Sequence, residues 1–308
     1  MLDINRVLKE DRLLRALTGL NRKAFDELLK AFSVQLDLEA IASSQKPRLR
    51  ARGGGRKARL LEAKDKLFFI LFYLKCYPTF DVAGVLFDLH RSRAHRWMLR
   101  LQKILEKSLG KKMALPERKL ESIGEFITRF PSVKEVMIDG TERPIQRPKE
   151  QQKQKNHYSG KQKRHTRKHL MMTDENKRVL VISKAREGKV HDKRQLDEEK
   201  LVEFVPDEVT IHVDSGFQGL QKEFVNIKIP IKKPRKKELT DKEKQSNREK
   251  SRVRVKCEHT ISGVKRYNAT TAIYRNRIKD LDVRGAWRQP YRFILTAVGL
   301  WNFYLMVA

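Results

Sequence analysis

Cysteine is scarce in this sequence: the two cysteines, Cys76 and Cys257, are far apart and lack the spacing of metal ligands. Their positions argue against a disulfide framework and a zinc finger, and they favour a reducing compartment. Long apolar runs are also scarce, and acids in the first stretch, MLDINRVLKEDRLLRAL, argue against a secretion signal. As a helix, the apolar stretch from Phe293 to Ala308 would span about 24 Å, short of a hydrocarbon core of roughly 30 Å. We therefore expect a buried core helix there and no membrane partner.

Acidic residues are few relative to basic ones. The 308 residues include 69 Lys and Arg against 38 Asp and Glu, which gives a formal net charge of +31. Such an excess favours a polyanionic partner, and nucleic acid is the leading candidate because each neutralised phosphate releases counterions. Charge alone would also suit an anionic membrane surface or ribosomal RNA, although we expect no membrane partner. The apolar content of 39% is enough for a folded core.

The N-terminal part of the chain has a helical pattern of apolar residues. Apolar positions in LLRALTGLNRKAFDELLKAF recur at three and four residues, which predicts a helical region over 1–45. Residues 46–59, KPRLRARGGGRKAR, contain three consecutive glycines and no acid. Glycine disfavours helix, so we expect a basic linker there. A solvated linker and a DNA-contacting arm are equally compatible with this composition.

A helix-turn-helix is predicted within residues 60–112. Thr79 can cap one short helix and Ser92 a second, with a tight turn at Asp88–His90 between them. The second helix has an apolar stripe, formed by Ala94, Met98, Leu101 and Leu105. It also has a basic stripe, formed by Arg93, Arg96, Arg100 and Lys103. One apolar and one basic face are what a recognition helix in a major groove requires, although a basic surface helix without DNA contact is the alternative.

Short strands follow from residue 131 onward, and an α/β domain is predicted over 131–308. The strand VKEVMID ends in Asp139, HLMMTDENKRVLVISKA has the pattern of a hairpin, and VTIHVD ends in Asp214. A helix around Arg194–Phe204 separates the last two strands. If the strands that carry the aspartates are parallel neighbours, both carboxylates emerge at the same sheet edge. A turn or a helix cap is the alternative role for each aspartate taken alone.

A third acid, Glu258, lies in the helical stretch SRVRVKCEHTISGVKRY. Its spacing to Arg254 and Lys265 places all three on one helix face, beside an apolar stripe. A surface ion-pair ladder is the alternative. Three carboxylates without a Cys or His cluster suit magnesium or manganese. Two such ions, roughly 4 Å apart, would relieve the repulsion between the acids and assist phosphodiester displacement.

Several ordered motifs resemble those of the insertion-sequence transposases of the IS-five and related IS-four groups and of their Harbinger-type relatives. The motifs are IDGTERPIQRP around Asp139, YSGKQKRHTRKH, GKVHD at Gly188–Asp192, VDSGFQG around Asp214 and EHTISGVKRY from Glu258. The last acidic helix of the family runs Tyr, two residues, Arg, three residues, Glu, six residues, Lys. This chain keeps Arg254, Glu258 and Lys265 at those intervals and has Ser251 at the tyrosine position.

The resemblance implies a ribonuclease-H-like catalytic domain preceded by an all-α helix-turn-helix region. It implies that Asp139, Asp214 and Glu258 bind two Mg²⁺ ions, with Mn²⁺ as a substitute, and that Arg254 and Lys265 hold phosphate. The implied reaction cleaves transposon ends and joins them to target DNA. The implied partners are double-stranded DNA with terminal inverted repeats, target DNA and further copies of the chain in a dimer or larger complex.

Other readings stay open at this point. A domesticated or inactive transposase-derived protein would bind DNA through Arg93, Arg96 and Arg100 without cleaving it. A basic RNA-associated or structural protein would show no preference for inverted repeats. If the host is prokaryotic, we expect the protein in the cytoplasm, associated with the nucleoid. The sequence gives no role for the His191-Asp192 pair, although Asp192 can cap the helix that follows.

Overall fold

A computed structural model of the protein describes residues 2–44, 58–233, 238–275 and 289–307. Nearly all of the predicted linker 46–59 lies outside these residues. The chain divides into two compact units. The first comprises Met1–Leu115, Val264–Thr270 and Arg292–Ala308, and the second comprises Pro116–Gly263 and Thr271–Tyr291.

The secondary structure changes from helices to a sheet along the chain. In the N-terminal part the helices are α1 (Ile4–Lys9), α2 (Asp11–Thr18), α3 (Arg22–Ser44), α4 (Ala63–Cys76), α5 (Phe80–Phe87), α6 (Arg91–Lys111) and α7 (Ile123–Arg129). The remaining helices are α8 (Gln151–His157), α9 (Asp192–Glu199), α10 (Asp241–Lys265), α11 (Asn268–Thr271) and α12 (Gln289–Val307). The strands are β1 (Glu135–Pro144), β2 (Tyr158–Ser159), β3 (Arg164–Asp174), β4 (Val179–Ile182), β5 (Arg186–Glu187), β6 (Thr210–Val213) and β7 (Ile227–Lys228).

Helix α4 is the centre of the first unit. All eight residues from Leu67 to Leu74 are buried, as expected for a helix that is apolar on every side. Phe293 of α12 packs edge-on against Tyr77, with 5.9 Å between ring centroids. The predicted burial of the C-terminal stretch is thus confirmed. Within the described residues, no helix is both long and apolar enough to cross a bilayer.

Helices α5 and α6 form the predicted helix-turn-helix. The Thr79 hydroxyl accepts a hydrogen bond from the backbone N–H of Val82, at 3.2 Å, and so caps α5. The prediction that Ser92 caps α6 is wrong. The helix begins one residue before Ser92, and the cap is His90, whose ring nitrogen accepts from the Ser92 N–H at 3.4 Å. The four apolar-stripe residues Ala94, Met98, Leu101 and Leu105 are fully buried, and the basic stripe is exposed.

The second unit is built on a mixed sheet in which β4, β3, β1, β6 and β7 are successive neighbours. Strand β3 is antiparallel to both of its neighbours, β1 and β4, and its pairing with β4 confirms the predicted hairpin. Strands β1, β6 and β7 are parallel to one another. Strand β1 therefore lies at the junction between an antiparallel and a parallel half.

The two faces of this sheet have different partners because side chains alternate along each strand. Val136 and Ile138 of β1 point into a core that also contains Phe126 of α7 and Leu196 of α9. The alternate residues face α10, which crosses the opposite side. Its Lys250 donates to the Ile229 carbonyl at 2.9 Å, and its Thr260 hydroxyl donates to the Lys177 carbonyl at 3.1 Å.

The predicted domain boundaries differ from these units. The predicted domain 131–308 leaves out Pro116–Phe130, although Leu120 and Phe126 pack into the sheet core. It also includes Arg292–Ala308, which packs in the first unit. The predicted helix at 194–204 is shorter than expected, since Lys200 adopts a left-handed conformation, with φ 54°, and ends α9. Hydrophobic periodicity shows that a segment is buried, but it does not show which core buries it.

A buried histidine makes the stability of the second unit depend on pH. Burial, helped by three nearby arginines, lowers the pKa of His169 from 6.5 to about 3, although the Ser183 carbonyl opposes the shift. The unfolded chain therefore binds a proton that the folded chain excludes, and stability falls as the pH drops below 6.5. We expect His169→Gln to reduce the pH slope of unfolding free energy by up to about 1.4 kcal/mol per pH unit. Urea titrations between pH 6.5 and 4 would test this, and an unchanged slope would contradict it.

Candidate active site

Two carboxylates meet where strands β1 and β6 separate. The parallel pairing of these strands ends at Ile138 opposite Val213, so Asp139 and Asp214 follow at adjacent positions. Both continue the alternation of Met137 and His212, and they therefore lie on the sheet face that α10 covers. This confirms the condition set by the sequence, that the two strands are parallel neighbours.

Asp139 is not the last residue of its strand, contrary to the prediction. Strand β1 continues to Pro144 because the long strand β3 keeps pairing with it, with Asp139 opposite Met171. Strand β6 ends at Val213, one residue before the predicted end, so Asp214 directly follows the strand and precedes a 3₁₀ turn at Ser215–Phe217. Asp139 is thus held by a neighbouring strand on one side and is open on the side where β6 has ended.

Burial raises the pKa of Asp139 above its ordinary value. The Gly140 N–H, which donates to its carboxylate at 2.7 Å, lowers that pKa, as do Arg254 and Lys161. The neighbouring charge of Asp214 raises it further. The net shift of the pKa is upward, so the effect of burial outweighs that of the hydrogen bond and the nearby positive charges.

The pKa of Asp214 is shifted in the opposite direction, below its ordinary value. Burial raises its pKa, but the Ser215 hydroxyl, Arg254 and the backbone N–H groups of Ser215 and Gly216 together outweigh it, and the pKa is lowered. The hydroxyl donates to the carboxylate at 2.9 Å, and an Arg254 nitrogen lies 3.8 Å from it. The pKa values of the two neighbouring acids are therefore shifted in opposite directions.

Helix α10 brings the third predicted acid to the same face of the sheet. A capping box stabilises its start, with the Glu243 N–H donating to the Thr240 hydroxyl at 3.3 Å and the Thr240 N–H donating to the Glu243 carboxylate at 2.7 Å. Burial raises the pKa of the Cys257 thiol to about 12, and the charges of Asp139 and Glu258 act on this thiol as well. Cys257 thus lies near Asp139, and the exposed Glu258 is the next residue. Lys265, also exposed, ends the helix within the first unit.

The donor set suits a hard divalent cation only in part. Asp139 and Asp214 supply oxygen ligands, which magnesium and manganese prefer. Among the described residues, no three His, Cys, Asp or Glu side chains are grouped closely enough to hold a metal ion. The structure therefore brings two of the three predicted ligands together and leaves Glu258 one helical turn beyond Arg254.

A buried ion cluster behind Asp139 was not predicted. The Lys168 ammonium lies 2.8 Å from an Asp192 carboxylate oxygen, poorly aligned for a hydrogen bond, and 3.7 Å from Glu142. A methyl group on Gly140 would lie 3.2 Å from the same Asp192 oxygen. Asp192 does not cap α9, because the ring of His191 accepts from the Lys193 N–H instead. The His191-Asp192 pair in the GKVHD motif pointed to one member of this cluster, but nothing in the sequence indicated that Lys168 would pair with Asp192.

Comparison with known proteins shows which protein family this chain resembles. Residues 138–286 match the family described as DDE superfamily endonuclease. Residues 59–111 match the helix-turn-helix of DDE superfamily endonuclease. The chain is 28% identical over 274 residues to the "Probable transposase for insertion sequence element IS702" of Microchaete diplosiphon, covering 89% of this chain and 90% of that protein. No solved structure gives a significant match.

Proposed function

Because the chain belongs to the DDE-type insertion-sequence transposases, we propose that it cleaves transposon ends and joins them to target DNA by two-metal-ion phosphodiester transfer. The observation that carries this proposal is the acid pair at the junction of β1 and β6. Asp139 and Asp214 leave adjacent parallel strands on one sheet face, beneath the helix that carries Glu258. A turn or cap role for each aspartate would not require the two to converge.

The proposed fold of the catalytic unit is ribonuclease-H-like. Its support is a sheet with an antiparallel half and a parallel half that meet at β1, where the first acid lies. The second acid follows the adjacent parallel strand, and α10 crosses the face on which both acids lie. The family resemblance also implies a ribonuclease-H-like domain.

We propose Asp139, Asp214 and Glu258 as the ligands of two Mg²⁺ ions, with Mn²⁺ able to substitute. The upward pKa shift of Asp139 supports this, because a bound cation would offset the burial and the neighbouring Asp214 charge that disfavour the ionised carboxylate. When bound, such ions activate the attacking oxygen and stabilise the leaving oxygen of a phosphodiester. Glu258 would have to turn toward the acid pair to complete the set.

The basic residues around the acids are proposed to hold the DNA backbone. Arg254 already lies beside Asp214, and its planar guanidinium suits phosphate as well as carboxylate. Lys161, in the turn between β2 and β3, acts electrostatically on Asp139 and is a further candidate. Lys265 is proposed as a phosphate contact from the family pattern alone.

Helix α6 is the proposed recognition helix, through the exposed residues Arg93, Arg96 and Arg100. We expect the double substitution Arg96→Ala with Arg100→Ala to weaken binding to DNA with the element's ends by at least about tenfold. The matched control is Lys107→Ala with Lys111→Ala, two exposed basic residues in the last turns of the same helix. Fluorescence anisotropy at fixed salt measures both. Equal losses in the two double variants would assign α6 a general electrostatic role and contradict recognition by these arginines.

The proposed activity is tested on supercoiled DNA that carries the element's inverted repeats. The purified chain should nick at the repeat ends in Mg²⁺ or Mn²⁺ and should be inactive in EDTA. Specific binding without nicking in either metal would overturn the enzymatic proposal and identify a DNA-binding protein derived from a transposase. Tighter binding to RNA than to the repeats would overturn both.

A further inference from the structure

A cleft of about 900 Å³ opens on the α10 side of the sheet, and the proposed chemistry does not use it. Its lining comes from Glu135 at the start of β1, His212 of β6, β7, the segment after β7, and α10 between Ser246 and Val253. All of these residues lie in the second unit. The cleft is therefore a feature of one compact unit.

His212 lines this cleft, and its ring has no hydrogen-bond partner in the part of the chain that the structure describes. Its side chain is 5% exposed, and neither ring nitrogen makes a hydrogen bond among the described residues. The nearest carboxylate oxygen, on Glu135, is 3.8 Å from the ring, which is beyond hydrogen-bond range. Leaving a buried polar group unpaired is destabilising by about 1–3 kcal/mol. A purely structural role would be filled better by an apolar residue, which makes the ring a candidate for a ligand contact.

One wall of the cleft is fixed in advance. The Asn247 side chain makes two hydrogen bonds to the backbone of Ile231, at 2.8 and 3.0 Å. Lys250 donates to the Ile229 carbonyl at 2.9 Å, and the Gln218 amide donates to the Pro230 carbonyl at 3.3 Å. The segment after β7 is thus tied to both α10 and the loop that follows Asp214. A preformed wall lowers the ordering cost of binding.

The lining chemistry fits a nucleobase attached to a phosphate backbone. The apolar lining residues are Ile227, Ile229, Pro230, Ile231 and Val253. Beside them, a neutral imidazole offers one donor and one acceptor, which matches the polar edge of a flat ring. Lys228 and Lys232 are exposed at the rim and can meet phosphate. A purely anionic ligand fits less well, since Glu135 and Glu249 also line the cleft.

The cleft lies close to the proposed metal ligand Asp214. His212 precedes Asp214 by two residues on the same face of β6, a separation of about 7 Å along the strand. We propose that the cleft binds an unstacked base of the DNA strand next to the cleavage position. The statement that this base lies next to the cleavage position rests on the proposed function. The binding of a base is independent of that function, because it needs neither metal nor cleavage.

The experiment compares two single-stranded probes in EDTA by fluorescence anisotropy. One is an oligothymidylate, and the other is a backbone of the same length without bases. We expect the unaltered protein to bind the oligothymidylate on the order of tenfold more tightly. His212→Leu should bring this ratio close to one without lowering the melting temperature, because it removes an unpaired polar group. Ser246→Phe, which fills the cleft from α10, should also bring the ratio close to one.

A control variant distinguishes base binding in the cleft from general electrostatic affinity for the DNA backbone. Lys228→Gln should weaken both probes to the same extent and leave their ratio unchanged. Equal affinity of the unaltered protein for both probes would overturn the proposal. An unchanged ratio in both His212→Leu and Ser246→Phe would place base binding elsewhere. Loss of stability in His212→Leu with an unchanged ratio would assign the ring a structural role. A base preference without DNA cleavage would leave this inference standing while the proposed enzymatic function failed.

Discussion

Asp139→Asn is expected to reduce the rate of DNA strand cleavage by at least about a thousandfold. The amide keeps the shape of the carboxylate but removes a charged oxygen ligand. A bound divalent ion contributes several kcal/mol of transition-state stabilisation, and about 4 kcal/mol corresponds to this factor. The measurement is the rate of nicking at the repeat ends in saturating Mg²⁺. The matched control is Asp207→Asn, an exposed aspartate before β6, which should retain the full rate.

The same substitution should raise stability when no metal is present. Because the pKa of Asp139 is raised in the folded state, the folded chain holds a proton that the unfolded chain has released. Stability therefore falls as the pH rises from the ordinary value of 3.8 through the raised value. Asparagine cannot ionise, so Asp139→Asn should melt at a higher temperature than the unaltered chain at neutral pH in EDTA. A lower melting temperature, or normal cleavage, would remove Asp139 from the proposed site.

Lys168→Met should destabilise the second unit by about 3–5 kcal/mol, the range for breaking one side of a buried ion pair. The Lys168 and Glu142 side chains are 9% and 8% exposed, and Asp192 is 24% exposed. Removing the ammonium leaves two largely buried carboxylates beside Gly140 without their cation. Denaturant unfolding measures the loss of stability.

The control for this prediction is Lys200→Met. Lys200 is 55% exposed and pairs with Glu203 at 3.0 Å, so its removal should change stability by less than about 1 kcal/mol. Equal effects of the two substitutions would show that the Lys168 cluster contributes no more than a surface pair. Replacing all three members of the cluster by apolar residues should recover much of the lost stability, because no buried charge then remains unpaired.

The sequence predicted the parts of this protein whose cause is local. The short apolar segments VKEVMID and VTIHVD predicted β1 and β6, and the spacing of Ala94, Met98, Leu101 and Leu105 predicted the buried side of α6. These patterns depend on the period of a strand or a helix, which neighbouring residues determine.

Features that depend on contacts distant in sequence were not predicted. Strand β1 extends beyond Asp139 because β3 pairs with it over its whole length. The Lys168–Asp192 pair and the burial of His212 likewise arise only after the strands assemble. At the helix-turn-helix, His90 and not Ser92 is the cap because the His90 ring accepts from the Ser92 N–H, and a rule based on hydroxyl side chains does not consider that ring.

The central claim is that Glu258 shares a metal with Asp139 and Asp214, and thiol substitution tests it most directly. Thiolate is a poor ligand for Mg²⁺ and a better one for Mn²⁺. We predict that Glu258→Cys is inactive in Mg²⁺ and regains cleavage in Mn²⁺, whereas Glu258→Ala is inactive in both. Undiminished cleavage by Glu258→Cys or Glu258→Ala in Mg²⁺ would contradict the shared metal site.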